Sequence, residues 1–251
     1  MRKTALITGS SKRVGLSIAK HLASIGFNIA IHFNNSESDS RKIVSELKNK
    51  KINVKRFKLN LENTKSIPVF FSKILEYFGS VDLLINNASV FEYDSLRSST
   101  FKSYNKHMDI NLKAPFFLSK YFLENFKSQN GNIINILDQR VINITPYFTS
   151  YTLSKSALWT LTQSLALSLA PKIKVNAIGL GPTLKSYRQT EEQFKEQIMR
   201  TPLKKQVKLS EINNTIDLIL NSNSITGQLF LLDSGQNLGW ANTTSKKFVE
   251  D

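Results

Sequence analysis

The chain has 251 residues, 41% of them hydrophobic, enough apolar material for one full core in one domain. It has no cysteine and three scattered histidines, which excludes disulfides, thiolate metal sites and a thiol nucleophile, and no metal site is expected. The net charge is +15, but the lysines are spread along the whole chain, so no nucleic-acid partner is expected and a positive field that draws polyanionic small molecules is.

In chain order, the basic Met1-Arg2-Lys3 is followed by an apolar stretch that breaks at Thr8-Gly9, too early for a signal peptide, and no run of 18 apolar residues occurs. A soluble, cytoplasmic protein with no membrane partner is expected. Lys3–Ile7 reads as a strand. It meets Gly9-Ser10-Ser11-Lys12-Arg13-Val14-Gly15, and Leu16, Ile18, Ala19, Leu22 and Ala23 then follow at helical spacing. At such a strand–glycine turn–helix junction, the free N–H groups and dipole of the helix start favour a pyrophosphate, and glycine lets the backbone approach it.

A second strand spans Asn28–Phe33 and ends in Asn34-Asn35-Ser36. In a dinucleotide fold an acid at this strand end would hold the ribose hydroxyls of NAD and repel a 2′-phosphate, and none stands at 32–35. His32, Asn35 and Ser36 offer donors, Lys12 and Arg13 supply charge, and the expected cofactor is NADP(H); Glu37 argues the other way.

Helix and strand repeat through Ser40–Leu61, with Asn60-Leu61 at a strand end suited to an adenine. A helix at Ile67–Phe78, a strand at Val81–Ile85 and Asn86-Asn87-Ala88-Ser89 follow. A long helix at about Thr100–Phe126 is interrupted near Asn111 and Pro115. Strand 132–137 runs into Asp138, and Tyr151 opens a helix with Leu158, Leu161, Leu165 and Leu169 on its apolar face. Strand Lys174–Ile178 leads into Gly179-Leu180-Gly181-Pro182-Thr183, and Gln228–Leu232 is the last strand. The pattern predicts a single-domain, Rossmann-like α/β fold over 1–240, with a doubly wound, mainly parallel sheet of about seven strands and a polar tail at 241–251. Segment 184–206, rich in Lys, Gln, Glu and Arg, suits a mobile flap over a site.

Tyr151-x-x-x-Lys155 sets a phenol and an ammonium one turn apart on one helix face. A fixed cation favours phenolate and lowers a tyrosine pKa from about 10, which makes Tyr151 a usable acid/base. Asp138, thirteen residues upstream, brings a carboxylate to a strand end. Taken alone, the same spacing fits a solvated helix start.

Together these pieces resemble the short-chain dehydrogenase/reductase family over essentially the whole chain: glycine loop, Asn-Asn-Ala, a mid-helix Asn, YxxxK, and Val175-Asn176-Ala177-Ile178 with its glycine-proline turn. The resemblance implies a proton relay of Tyr151, Lys155 and Asn111 beside the nicotinamide. Asn87, Ala88, Ser89, Gly181 and Thr183 join Gly9–Gly15 in the cofactor site it implies. Two departures, Arg13 for the middle glycine of TGxxxGxG and Asp138 for the usual catalytic Ser, are similar to the pteridine reductases, which implies a catalytic Asp138 that partners Tyr151 and helps supply the proton; Asn86-Asn87-Ala88-Ser89-Val90-Phe91 and Asn111-Leu112-Lys113-Ala114-Pro115-Phe116-Phe117 are similar to them too.

The ending Asp233-Ser234-Gly235-Gln236-Asn237-Leu238-Gly239-Trp240 resembles bacterial dihydromonapterin-reductase-like members. Leu180 for proline, Ser234 for glycine and Asn60 for aspartate depart from the family pattern. The resemblance implies NADPH-dependent reduction of a pterin or dihydropterin C=N bond in a homotetramer or homodimer. Arg13, Ser89, Phe91, Asp138, Tyr151 and Trp240 are the implied substrate contacts. A ketone or quinone reductase and a catalytically silent NADP(H)-binding regulator are the alternatives.

Overall fold

A computed structural model describes residues 2–48 and 51–239. Its strands are β1 (Thr4–Ile7), β2 (Asn28–Phe33), β3 (Val54–Lys58), β4 (Leu83–Asn86), β5 (Gly131–Asp138), β6 (Ile173–Leu180) and β7 (Leu229–Leu232). They form one seven-stranded sheet in the order β3-β2-β1-β4-β5-β6-β7, every pair parallel. Trp240 and the expected tail at 241–251 lie outside the described residues.

The central strands read as apolar runs because helices cover both faces of the sheet. Side chains alternate between the faces. Ala5, Ile7, Ile29, Ile31, Leu83, Ile85, Ile134 and Ile136 pack with α1 (Arg13–Ser24), α2 (Glu37–Leu47) and α8 (Leu209–Asn221). Leu6, Ala30, Leu84, Ile133 and Val175 pack with α3 (Ile67–Phe78), α5 (Ala114–Asn125) and the end of α6 (Thr149–Leu169). A one-residue slip of any of these strands would exchange the two sets, so burial itself fixes the register.

The long helix expected over 100–126 is interrupted where the sequence suggested. α4 (Phe101–Met108) passes into a wider π turn at Asp109–Lys113, and α5 restarts with Pro115 in its first turn. The segment expected as a flap covers the cleft but is not wholly loop: it contains α7 (Glu191–Met199), which buries Phe194.

The sheet order reverses between β1 and β4, so the chain leaves these neighbours in opposite directions and opens a crevice at their carboxyl ends. Thr8 and Asn87 close the floor of that crevice. Thr8 Oγ1 accepts from Asn87 N and Ala88 N, both at 2.9 Å, while Asn87 Nδ2 donates to Thr8 O at 2.8 Å and Gly9 O at 3.2 Å. Gly15 is required here, because a Cβ would sit 2.4 Å from Gly9 O and 2.5 Å from Asn87 Nδ2.

Candidate active site

One cleft of about 1290 Å³ runs along the carboxyl ends of the strands, larger than the roughly 300–1,000 Å³ of ordinary ligand pockets. One arm is lined by Gly9, Lys12, Arg13, Val14, Gly15, His32, Asn35, Ser36, Asn60 and Leu61, and the middle by Asn87, Ala88, Ser89, Lys155, Gly181 and Thr183. The other arm holds Phe91, Asp138, Tyr151 and residues of the flap.

The first arm fits a dinucleotide. α1 starts without a side-chain cap and without an acid in its first turn, leaving its N–H groups to an anion. Glu37 stays ionised, since hydrogen bonds from Arg41 at 2.8 Å and Arg56 at 3.3 Å, Arg41's first, hold it below the usual carboxylate range, and the two guanidiniums offset its charge beside this arm. Lys12 pairs with Asp39 at 3.0 Å.

Two expectations for this arm change, and Arg13 makes contacts the sequence did not suggest. His32, expected as a donor to the cofactor, uses both ring nitrogens internally: Nδ1 accepts from Gly9 N at 2.9 Å, so Nε2 carries the proton and donates to Leu59 O at 3.0 Å. Burial lowers its pKa to about 4, so it is a neutral brace for the glycine turn. Ser10 turns its hydroxyl inward onto Ile7 O at 2.9 Å and contributes no side chain to the cleft wall. Arg13 stands at φ +54, the left-handed backbone that explains glycine at this position of the family pattern. Its guanidinium donates to Leu184 O (3.1 Å) and Lys185 O (3.0 Å), which ties the glycine turn to the flap.

At the other arm, β5 delivers Asp138 and the first turns of α6 deliver Tyr151 and Lys155. Tyr151 OH donates to Asp138 Oδ2 at 3.0 Å. Asp138 Oδ1 accepts from Arg140 N at 2.9 Å, and Arg140 Nη1 reaches both carboxylate oxygens at 3.3 and 3.2 Å. Both Asp138 oxygens thus accept hydrogen bonds, from Tyr151 and from the Arg140 main chain and guanidinium. Lys155 Nζ donates to Ile136 O at 2.8 Å and lies 5.9 Å from the Tyr151 ring centroid.

The expectation that Lys155 lowers the Tyr151 pKa is not met. Burial first, and the Asp138 charge second, push Tyr151 well above the usual tyrosine value, against a smaller opposing pull from Arg140. Burial brings Lys155 down to about 8, and the Asp138 charge only partly offsets it. Tyr151 therefore holds its proton at neutral pH, and Lys155 is charged but only just.

Asn111, expected to hold a relay water, has a saturated amide. Its Oδ1 accepts from Val90 N (2.9 Å) and Ser89 Oγ (3.2 Å), and its Nδ2 donates to Val90 O and Ser154 Oγ, both at 3.0 Å. It joins the Ser89–Phe91 shelf to α6.

Two residues of this end were not anticipated. Phe148 stacks on Phe91, with centroids 4.4 Å apart, and the Arg140 guanidinium lies 5.4 and 5.2 Å from the Phe91 and Phe148 centroids. Phe91 also meets Tyr151 edge-on at 4.7 Å. The sequence signal was the run Asp138-Gln139-Arg140, since an arginine two residues past a carboxylate can fold back on it.

The pattern of the short chain dehydrogenases matches residues 3–196. The chain belongs to the short chain dehydrogenase family. Among solved structures, this short chain dehydrogenase is similar to FolM alternative dihydrofolate reductase 1 from Brucella canis, complexed with NADP. The TM-score is 0.92 with 37% identity, covering 97% of each chain. The protein of the same name from Brucella suis, also in complex with NADP, gives 0.92 and 38%, covering 96% of this chain and 97% of that one. The 3-oxoacyl-acyl-carrier-protein reductase FabG of Staphylococcus aureus is 28% identical over 241 residues, 94% of this chain and 98% of that one.

Proposed function

We propose that this short chain dehydrogenase is an NADPH-dependent reductase of a pterin or dihydropterin C=N bond. The observation that carries the reading is the Tyr151–Asp138–Arg140 chain, set beside an aromatic shelf of Phe91 and Phe148. The names and bound NADP of the two Brucella proteins agree with it.

NADPH, when bound in the first arm, supplies a hydride to the carbon of the C=N bond. The helix-start N–H groups of α1, with Lys12, Asn35 and Ser36, suit its phosphates, and Lys155 its nicotinamide ribose. Phe91 and Ser89 hold the flat ring of the substrate, which keeps the reacting atoms in a near-attack arrangement. Asp138 keeps Tyr151 protonated and aimed until the substrate nitrogen takes up the electron pair of the C=N bond. That nitrogen is then far more basic than a phenolate, so the Tyr151 proton moves to it, and the Lys155 charge stabilises the phenolate until solvent restores the proton.

A ketone is the poorer match. A carbonyl oxygen needs donors, and Asp138 as a carboxylate offers none. The test is NADPH consumption with a 7,8-dihydropterin and a 3-oxoacyl thioester in parallel. The reading expects kcat/KM for the dihydropterin to exceed that for the thioester by about 100-fold, close to 3 kcal/mol in transition-state stabilisation. A thioester preference would overturn it.

A further inference from the structure

β7 ends at Leu232 and the chain turns at once at Asp233. The Asp233 carboxylate accepts from Gly235 N (3.0 Å) and Asn237 N (2.7 Å), and its main-chain oxygen accepts from Gln236 N at 3.1 Å. This turn packs on the turn Gln139–Val141 that follows Asp138, and Asn143 Nδ2 donates to Gln236 O at 2.9 Å. The backbone of Gln236 is therefore pinned from both sides.

Its side chain is a different matter. Gln236 is 2% exposed and lines the cleft, yet its amide oxygen has no hydrogen-bond partner among the described residues. Arg140 Nε, on the turn packed against it and on the wall of the same cleft, is likewise buried and unpartnered. Other buried oxygens without partners, such as Gln139 Oε1 and Asn86 Oδ1, do not line the cleft. Buried polar groups are nearly always paired, so an unpaired acceptor and an unpaired donor on two residues that both line the cleft make an incomplete set, which a small turn of the two side chains toward the cleft presents to a ligand edge.

We propose that Gln236 is a specificity-determining residue that reads the hydrogen-bonding edge of the substrate together with Arg140. The Gln236 amide oxygen accepts an N–H of the ring, and Arg140 Nε–H donates to the oxygen or nitrogen beside it. This rests on the reading of the substrate as a nitrogen heterocycle and narrows it to one with a cyclic amide or amidine edge, as in a 2-amino-4-oxopteridine. A site built to pair such an edge rejects analogues that lack it, because its own buried groups are then left open.

The test titrates the oxidised 2-amino-4-oxopteridine into enzyme saturated with NADP⁺, by calorimetry, for the native protein, Gln236→Met and Gln236→Glu. Methionine is unbranched and fills similar space without the amide, and glutamate keeps the acceptor. The expected result is binding weakened about tenfold or more in Gln236→Met and held within a few-fold in Gln236→Glu, with NADP⁺ affinity and melting temperature unchanged in both. Equal pteridine binding in Gln236→Met and the native protein overturns the assignment, even where dihydropterin turnover is intact. Binding that depends on Gln236 without any dihydropterin turnover supports it and overturns the C=N reduction instead.

Discussion

Tyr151 shows how strongly surroundings govern a motif residue. Its partner in YxxxK was expected to make it more acidic, but burial and the neighbouring carboxylate act first, and Lys155 is itself drawn down to about 8 by burial. Lys155 carries its charge below that value and loses it above. The pH profile of kcat/KM for NADPH, which reports the free enzyme, is therefore predicted to fall as pH rises through about 8. An alkaline limb that begins only above 10 would contradict this.

His32 gives the opposite edge. Its folded pKa of about 4 lies below the ordinary 6.5, so the unfolded chain binds the extra proton between these values. The stability from burying it neutral is whole above 6.5 and is lost as pH falls through 4, on the order of 3 kcal/mol from this group. Denaturant melts from pH 7 to 4 should show that loss, and His32→Leu should flatten it; identical slopes would refute the assignment. Sequence alone shows residue types, not which ring nitrogen or amide is already satisfied. For that reason His32 and Asn111 were expected to serve ligands, while Arg140, Phe148 and Gln236 were passed over.

The elements were more legible, because turn residues and burial periodicity are local signals. β2 and α3 fall on the expected residues, and Asp138 ends β5 as expected. Less legible was how α6 begins. Phe148 stands at its start in left-handed backbone, φ +59, and supplies no side-chain cap. Asp94, 56 residues before Ser150, supplies one: Oδ1 accepts from Ser150 N at 3.0 Å, and its main-chain oxygen accepts from Phe148 N at 2.7 Å. A carboxylate there also complements the helix dipole. No local spacing reveals a cap borrowed across such a distance. Asp94→Ala is predicted to cost about 1–2 kcal/mol in stability and about tenfold in hydride-transfer rate. Asp94→Asn, which keeps the acceptor, should recover most of both; an active, fully stable Asp94→Ala would show that α6 needs no such cap.

At the scale of the whole molecule, the parallel sheet was legible because two-sided burial writes unbroken apolar runs into its central strands. Segment 184–206 was expected over the site, but the bonds from Arg13 to Leu184 and Lys185 that tie it to the glycine turn were not legible, since nothing local encodes them. The net charge of +15 and the offset charge of Glu37 together predict that NADPH binds at least ~10-fold more tightly than NADH, about 1.4 kcal/mol, and that the advantage shrinks with added salt. Equal dissociation constants by titration would contradict it.

Asp138, at the end of β5, is proposed to fit this fold to a ring nitrogen in place of a carbonyl. That role is tested most directly by single-turnover hydride transfer from NADPH to a dihydropterin and to a simple ketone, in the native protein and Asp138→Ser. Serine is predicted to lower the dihydropterin rate by about 100-fold or more and to raise the ketone rate, with NADPH affinity within a few-fold and melting temperature unchanged. A dihydropterin rate that Asp138→Ser leaves intact would contradict it.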